Sequence, residues 1–131
     1  MFDTLSFKVC YNDTWVFDTQ TSTWYKLQIE NPGPRFAHTL TMMGPWLVLF
    51  AGHNSKAYDT ELWLLMCDDE LRQALLTPAT LAQKKFRWTN KTASIAGPAP
   101  DPRGYHCAVL VDQRLIVIGG FDGKLAGTLL T

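Results

Sequence analysis

The sequence predicts an all-β fold built from repeated units of four short antiparallel strands. The first observation is an internal repeat: segments 34–52 and 102–120 match position for position over nineteen residues. The second is that each copy holds two short apolar runs bounded by Gly, Pro and polar residues, a pattern typical of buried strands. The third is a further repeat that aligns Trp15 with Trp63 at an offset of 48 residues.

The length of the repeat identifies the kind of unit. Trp15 and Trp24 are nine residues apart, whereas Trp63 and Trp88 are 25 residues apart, so an insertion stretches the second copy. Without its insertions the unit is about 48 residues long, within the range of four-stranded propeller repeats. Four short strands covered on both faces are what a β-propeller blade requires, because each blade stacks on the next.

The strands of each unit are predicted from the apolar runs and the turn signals between them. Strand one is predicted at 38–42 and 106–111, strand two at 47–50 and 115–118, strand three at 15–17 and 62–65, and strand four at 24–27 and 86–88. The polar segment 18–23 is predicted to be the hairpin loop between strands three and four of the first unit.

This strand order divides the chain into three parts. Residues 1–30 hold strands three and four of one blade, residues 34–90 hold one full blade, and residues 102–131 hold strands one and two of a further blade. The sum is about two blade equivalents, whereas closed propellers have about 4–8 blades. We therefore expect an incomplete propeller whose remaining blades come from a longer parent chain; the alternative is a homotrimer that supplies six blades.

The insertion at 67–85 interrupts the full blade and is predicted to be helical. The acidic pair at 68–69 suits the first turn of a helix. A single apolar stripe follows, formed by Leu71, Leu75 and Leu76. A Thr-Pro pair at 77–78 predicts the start of a second short helix that ends near residue 85. The alternative is an irregular loop whose leucines cover the blade.

The repeated motifs resemble those of the kelch-repeat family. The resemblance rests on Pro-Arg-x-x-His at the start of strand one, Gly119-Gly120 at the end of strand two, Tyr-x-x-x-Trp at 11–15 and Trp24 in strand four. It covers the chain apart from the insertion and the last few residues. It implies a kelch-type β-propeller that serves as a scaffold or substrate adaptor and binds a protein partner through its loops.

Composition excludes several other classes of function. Twelve basic and twelve acidic residues give no net charge and form no basic run, so we expect no nucleic-acid partner. The longest apolar runs are far shorter than the ~20 residues that span a bilayer, so we expect no membrane partner. The three cysteines are widely spaced and no secretion signal opens the chain, which predicts a cytoplasmic protein.

The motifs also favour a binding module over an enzyme. No cysteine or histidine pair has metal-ligand spacing, and no serine is framed as a nucleophile. We therefore predict no catalytic residue, no metal and no cofactor. The alternative is a kelch segment of a larger enzyme, such as a phosphatase, a methyltransferase or a galactose-oxidase-like enzyme, with catalysis outside these residues or absent from them.

Candidate partner-binding residues lie at the start of strand one and in the loops after strand two. Arg35 and Arg103 hold equivalent positions, where a ring of guanidiniums would grip a carboxylate or an acidic peptide. The alternative, which we favour, is that each arginine ties its blade to the next through backbone carbonyls. The two loops differ between copies and are better specificity candidates; their candidate residues are His53, Asn54, Lys56, Phe121, Asp122 and Lys124.

Overall fold

The structure is a computed structural model that describes residues 9–30, 32–77 and 85–124. It consists mainly of β-strands, as the sequence repeat predicts. The strands are β1 (Thr14–Asp18), β2 (Thr23–Leu27), β3 (Ile29–Glu30), β4 (Thr39–Met43), β5 (Trp46–His53), β6 (Tyr58–Met66), β7 (Phe86–Arg87), β8 (Thr89–Asn90), β9 (Cys107–Val111) and β10 (Arg114–Ile118). One α-helix, α1 (Asp69–Leu76), follows β6, and a short 3-10 turn spans Thr92–Ser94.

The predicted full blade is a four-stranded antiparallel sheet in the order β4-β5-β6-β8. Strand β5 lies inside this sheet and is buried from Val48 to Gly52, which explains why its sequence is apolar without alternation. The main core contains Leu27, Leu49, Trp63, Leu65, Leu71, Ala74 and Trp88. Leu27 belongs to the preceding hairpin and Leu71 to the helix, so three elements share one core.

Two further antiparallel strand pairs flank the full blade. Strands β1 and β2 pair from Thr14 with Leu27 to Asp18 with Thr23, and β9 pairs with β10. The predicted loop at 18–23 is confirmed, because the Asp18 carboxylate accepts a hydrogen bond from the Gln20 backbone N–H at 2.8 Å. This bond lowers the pKa of Asp18 below its ordinary value.

The prediction of a fourth strand at 86–88 is wrong in its pairing. Residues 86–87 form β7, which pairs in parallel with β3 of the preceding unit. The fourth position of the blade is taken by β8, which pairs with β6. Trp88 lies between β7 and β8 with its side chain in the core, and its backbone N–H donates to the Glu30 carbonyl at 3.1 Å. The chain therefore pairs with β3 of the preceding unit before this residue and with β6 of the full blade after it, which joins the two units.

The insertion begins with the predicted helix. The Asp68 side chain accepts a hydrogen bond from the Leu71 N–H at 2.9 Å, which caps α1. The predicted stripe is partly wrong: Leu71 and Ala74 are buried, whereas Leu76 is 73% exposed. A spacing of three residues keeps two side chains on one helix face, and position 76 lies off that face. The predicted second helix lies mostly in 78–84, outside the described residues.

Both copies of the repeat make the same close backbone contact after strand two. Phe36 and His53 exchange hydrogen bonds of 3.1 and 2.8 Å, and Gly104 and Phe121 exchange bonds of 2.9 and 2.8 Å. The glycine before each contact, at 52 and 120, has a φ of +100° and +111° respectively. A Cβ on Gly52 would lie 2.7 Å from the Phe36 carbonyl oxygen, so this position requires glycine.

Backbone hydrogen bonds attach the last unit to the full blade. The Gly52 N–H donates to the Arg103 carbonyl at 2.9 Å, and the Tyr105 N–H donates to the Ala37 carbonyl at 2.9 Å. Beside them, the buried His106 ring forms a 2.7 Å hydrogen bond between its Nε2 and the Thr39 hydroxyl. These contacts bring the first strands of adjacent units, β4 and β9, side by side.

Replacing Gly52 tests the close backbone contact. We expect Gly52→Ala to lower the free energy of unfolding by about 2 kcal/mol or more, because the new Cβ meets backbone atoms and φ is positive. Gly44→Ala is the matched control, since φ is also positive there but nothing lies within 4 Å. We expect it to cost about 1 kcal/mol. Urea unfolding measures both, and equal losses would contradict the contact.

Two histidines near the β4–β9 contact, the buried His106 and the more exposed His38, predict a loss of stability in mild acid. Burial lowers the pKa of His106 below 6.5, with the charge of Arg103 adding to the effect. Burial, together with Arg35 and His106, also lowers the pKa of His38. The unfolded chain therefore binds protons that the folded chain excludes, so the free energy of unfolding falls as pH drops below about 6.5.

Urea unfolding at pH 7.5, 6.5 and 5.5 measures this dependence. His106→Gln keeps a polar group beside Thr39 and should flatten the pH dependence. An unfolding free energy that does not change between pH 7.5 and 5.5 would contradict the assignment.

Candidate functional site

The structure brings together the two loops that the sequence singled out. The first loop comprises residues 54–57 after His53, the last residue of β5, and the second comprises residues 121–124 after β10. The two loops face each other across the boundary between two units. Between them lies an open groove of about 530 Å³, here named the loop groove. It is lined by His53, Lys56, Ala57, Tyr58, Asp101, Pro102, Asp122, Gly123 and Lys124.

Tyr58 is the residue that joins the two loops. Its ring centroid lies 4.8 Å from that of His53 and 5.8 Å from that of Phe121, edge to face in both cases. A Cβ on Gly104 would lie 2.6 Å from the Tyr58 ring. Only glycine at position 104 therefore allows the last unit to approach the tyrosine this closely. Sequence reasoning missed Tyr58 as a site residue.

The predicted loop residues fall into two groups. His53, Lys56, Asp122 and Lys124 line the loop groove. Asn54 instead shapes its own loop, because its side-chain oxygen accepts hydrogen bonds from the backbone N–H groups of residues 56 and 57 at 3.1 and 3.0 Å.

Phe121 packs on Tyr58 and remains 45% exposed. With Arg103 it lines an adjoining depression of about 310 Å³, which shares Asp101, Pro102, Asp122 and Lys124 with the loop groove. Asp101 and Pro102 precede the repeated strand and were not predicted as site residues. The depression and the groove therefore form one continuous surface over the two loops.

The surface of the loop groove carries both signs of charge. Lys56 and Lys124 supply two cations, and Asp101 and Asp122 supply two anions. The Lys124 ammonium lies 3.9 Å from the Asp122 carboxylate, and both side chains are largely exposed. Such an exposed pair contributes little to stability, so these charges are free to exchange partners on binding.

Arg35 does not line the loop groove. Its side chain is only 3% exposed, and one terminal nitrogen donates to the Ala51 carbonyl at 3.0 Å. The other donates to Glu61 at 2.8 Å and to the Pro32 carbonyl at 3.3 Å. The architectural alternative predicted hydrogen bonds to the next blade, whereas Ala51 belongs to the arginine's own unit and Pro32 lies just before it.

The partners of Arg35 hold the first loop in place. Asp59 lies 3.5 Å from Arg35 and accepts a hydrogen bond from Asn54 at 3.4 Å. Burial raises the pKa of Asp59, while its backbone hydrogen bond and Arg35 oppose that rise. Glu61 accepts from Arg35 and also from the Trp63 indole at 2.9 Å. A single guanidinium therefore links the loop to the blade core.

Arg103 repeats only part of this arrangement. Its terminal nitrogen donates to the Gly119 carbonyl at 2.9 Å, the equivalent of the bond from Arg35 to Ala51. Its Nε donates to the Asp101 carbonyl at 3.0 Å. Among the described residues it has no carboxylate partner, and it lies at the edge of the surface over the loops.

The described ranges offer little for metal or membrane chemistry. They contain no group of three or more His, Cys, Asp and Glu side chains that could hold a metal ion. Cys10, Cys67 and Cys107 are all free thiols, and burial raises the pKa of Cys67. None of the helices in these ranges has the length and apolar character needed to cross a membrane.

Comparison with curated proteins finds relatives that match most of this chain. A serine/threonine-protein phosphatase of Arabidopsis thaliana is 33% identical over 86% of this chain and 10% of its own length. An F-box/kelch-repeat protein of the same organism is 28% identical over 86% of this chain and 22% of its own length. Kelch domain-containing protein 1 of Homo sapiens is 27% identical over 86% of this chain and 24% of its own length.

The chain therefore spans less than a quarter of each of these three relatives. None of the known protein-family models matches it. The rest of each relative lies outside the matched segment.

Replacing Arg35 tests its structural role as the partner of Asp59 and Glu61. We expect Arg35→Met to lower the free energy of unfolding by about 3 kcal/mol, because Asp59 and Glu61 lose their buried cation. Arg87→Met is the matched control: Arg87 pairs with Glu30 at 3.0 Å, but both side chains are exposed, so the loss should stay below about 1 kcal/mol. Urea unfolding measures both, and equal effects would contradict a structural role for Arg35.

Proposed function

Because this chain belongs to the kelch-repeat family, we propose that it is a protein-interaction module whose loop groove binds a partner protein. The observation that carries the proposal is the meeting of two loops from different units around Tyr58. Neither loop forms the groove alone, so the binding surface depends on the stacking of adjacent units. In this role the chain acts as a scaffold or adaptor.

The chemistry of the surface favours a protein over a small molecule. Small-molecule sites are mostly enclosed and apolar with few polar groups. The loop groove is open and carries four charged side chains. Tyr105, which is 65% exposed, and Phe121, which is 45% exposed, lie near it. Exposed aromatic residues beside charged groups are typical of the residues that dominate protein interfaces.

The predicted site residues enter this proposal in different roles. His53, Lys56, Asp122 and Lys124 contact the partner directly, and Phe121 and Arg103 extend the contact surface. Arg35 and Asn54 position the first loop and do not touch the partner. The blades that complete the propeller belong to a parent chain, as the small share of each relative covered by this chain suggests.

A second candidate function is that of a kelch segment in a larger enzyme. The 33% identity with a serine/threonine-protein phosphatase favours this candidate, since that relative extends far beyond the matched residues. Catalysis would then lie outside this chain, and the loop groove would recruit the substrate protein. A phosphatase assay on the full reading frame distinguishes the two, because an adaptor has no activity of its own.

Reversing the cationic charges of the loop groove tests the proposal. We expect the double variant Lys56→Glu, Lys124→Glu to lower recovery of the bound partner by about tenfold, which corresponds to about 1.4 kcal/mol of binding energy. The measurement is quantitative mass spectrometry of proteins captured by the full-length protein from its own cells. A direct interaction is then confirmed with the purified partner.

The matched control is Lys91→Glu, an exposed lysine outside the groove. We expect this variant to retain the partner at the level of the unchanged protein. Circular dichroism and thermal unfolding establish that both variants fold. The proposal fails if every captured protein is recovered equally with the double variant, the control and the unchanged protein.

A further inference from the structure

Two strands have an edge with no partner in the described part of the chain. In the full blade, strand two (β5) pairs with strand three (β6). Strand β10 is strand two of the last unit, and among the described residues it pairs with β9 alone. Strand β1 is strand three of the first unit, and it pairs with β2 alone in the same ranges. Each of these strands is therefore the kind of neighbour that the other one lacks.

The full blade specifies how the two open edges match. The antiparallel ladder between β5 and β6 includes residues 46–50 and 62–66, five residues on each strand. The repeat makes β10 equivalent to the first segment and β1 equivalent to the second. Both strands have five residues, so the same ladder pairs them along their full length. It places Arg114 opposite Asp18, and opposite charges at facing positions stabilise a strand pair.

The same equivalence supplies the carboxylate that Arg103 lacks. In the full blade, Arg35 donates to Glu61 at 2.8 Å, and Glu61 also accepts from the tryptophan indole two residues later at 2.9 Å. Asp13 is equivalent to Glu61 in the repeat, and it also accepts from the tryptophan indole two residues later, at 2.7 Å. Arg103 is equivalent to Arg35 and has no carboxylate partner in the described ranges. A β1 strand placed by this ladder brings Asp13 to that position.

Side chains that a neighbouring unit covers in the full blade are exposed on the two open strands. Phe50 of β5 is 5% exposed and packs on His106 of the next unit, with 5.3 Å between the ring centroids. Trp63 of β6 is 9% exposed. Their equivalents, Ile118 of β10 and Trp15 of β1, are 59% and 49% exposed. Removing this apolar surface from water favours the addition of a neighbour to both strands.

We propose that β10 of one copy of this chain pairs with β1 of a second copy, in the register that β5 and β6 have in the full blade. The joined sheet has the order β9-β10-β1-β2, with the first two strands from one copy and the last two from the other. Open strand edges readily pair with another chain, and the two charge pairs select this register. The contact joins different surfaces of the two copies, so it closes into a ring or grows into a filament.

This self-association goes beyond the proposed binding of a partner at the loop groove, and it concerns the 131-residue chain. In a parent chain that carries further blades, we expect the same two edges to pair with strands of that chain. The experiments below therefore use the 131-residue chain.

Disulfide formation between separately mutated copies tests the register. In a chain whose native cysteines are replaced by serine, one preparation carries Thr14→Cys and the other carries Ile118→Cys, at positions that face each other in the proposed ladder. We expect a disulfide-linked product of the two preparations on mixing and oxidation. The comparison mixture replaces Ile118→Cys with Val117→Cys, whose side chain points to the opposite face. A disulfide needs Cβ atoms directed at each other, so its yield should be at least about tenfold lower.

Sedimentation tests the charge pairing independently of the cysteines. We expect the unchanged chain to sediment as species larger than the monomer. Arg114→Glu places a second carboxylate opposite Asp18 and should weaken the association by about tenfold. Lys91→Glu makes the same change of charge at an exposed residue outside the ladder and should associate as the unchanged chain does. Circular dichroism establishes that each variant folds.

Four results would overturn the proposal. The first is a monomer as the sole species in sedimentation of the unchanged chain. The second is equal association of Arg114→Glu and Lys91→Glu. The third is an equal disulfide yield in the two cysteine mixtures. The fourth is a disulfide that joins two copies of the Thr14→Cys variant in place of the mixed product, because it would show that identical edges pair.

Discussion

The architecture depends on one close backbone contact, at the point where strand two of the full blade ends. Gly52 passes so near the Phe36 carbonyl that no side chain fits, and its own N–H donates to the carbonyl of Arg103 in the next unit. The contact therefore lies at the end of β5, just before the first loop. It also bonds the following unit to the full blade. Gly120 has the same geometry against Gly104, so the two copies share this backbone contact as well as their sequence pattern.

Buried electrostatics then decide the shape of the surface above this contact. Arg35 is enclosed by two carboxylates and two carbonyls, so its charge is neutralised by buried partners of the same chain and not by a ligand. Asp59 accepts a hydrogen bond from Asn54, and Asn54 accepts one from the backbone N–H of Lys56. These bonds fix the position of the loop that carries Lys56. The residues that line the loop groove are thus held by residues that do not line it. This division explains why one arginine of the pair is buried and the other lies at the surface.

The loop groove arises from the stacking of two units. It lies over the junction of the full blade with the last unit and combines aromatic rings with exposed charges. Its open, charged surface is therefore suited to exchange partners.

Much of the fold follows from the sequence alone: the repeat period, the strands of each unit, the helix that starts at Asp68, and the glycine at 52 are all read from local periodicity and turn chemistry. The tertiary structure alone decided which loops meet around Tyr58, which carboxylates enclose Arg35, and why β7 pairs with the preceding unit. These features depend on contacts between residues far apart in the chain. Hydrophobic periodicity reports which face of a strand is buried, but it carries no information on which distant group lies opposite.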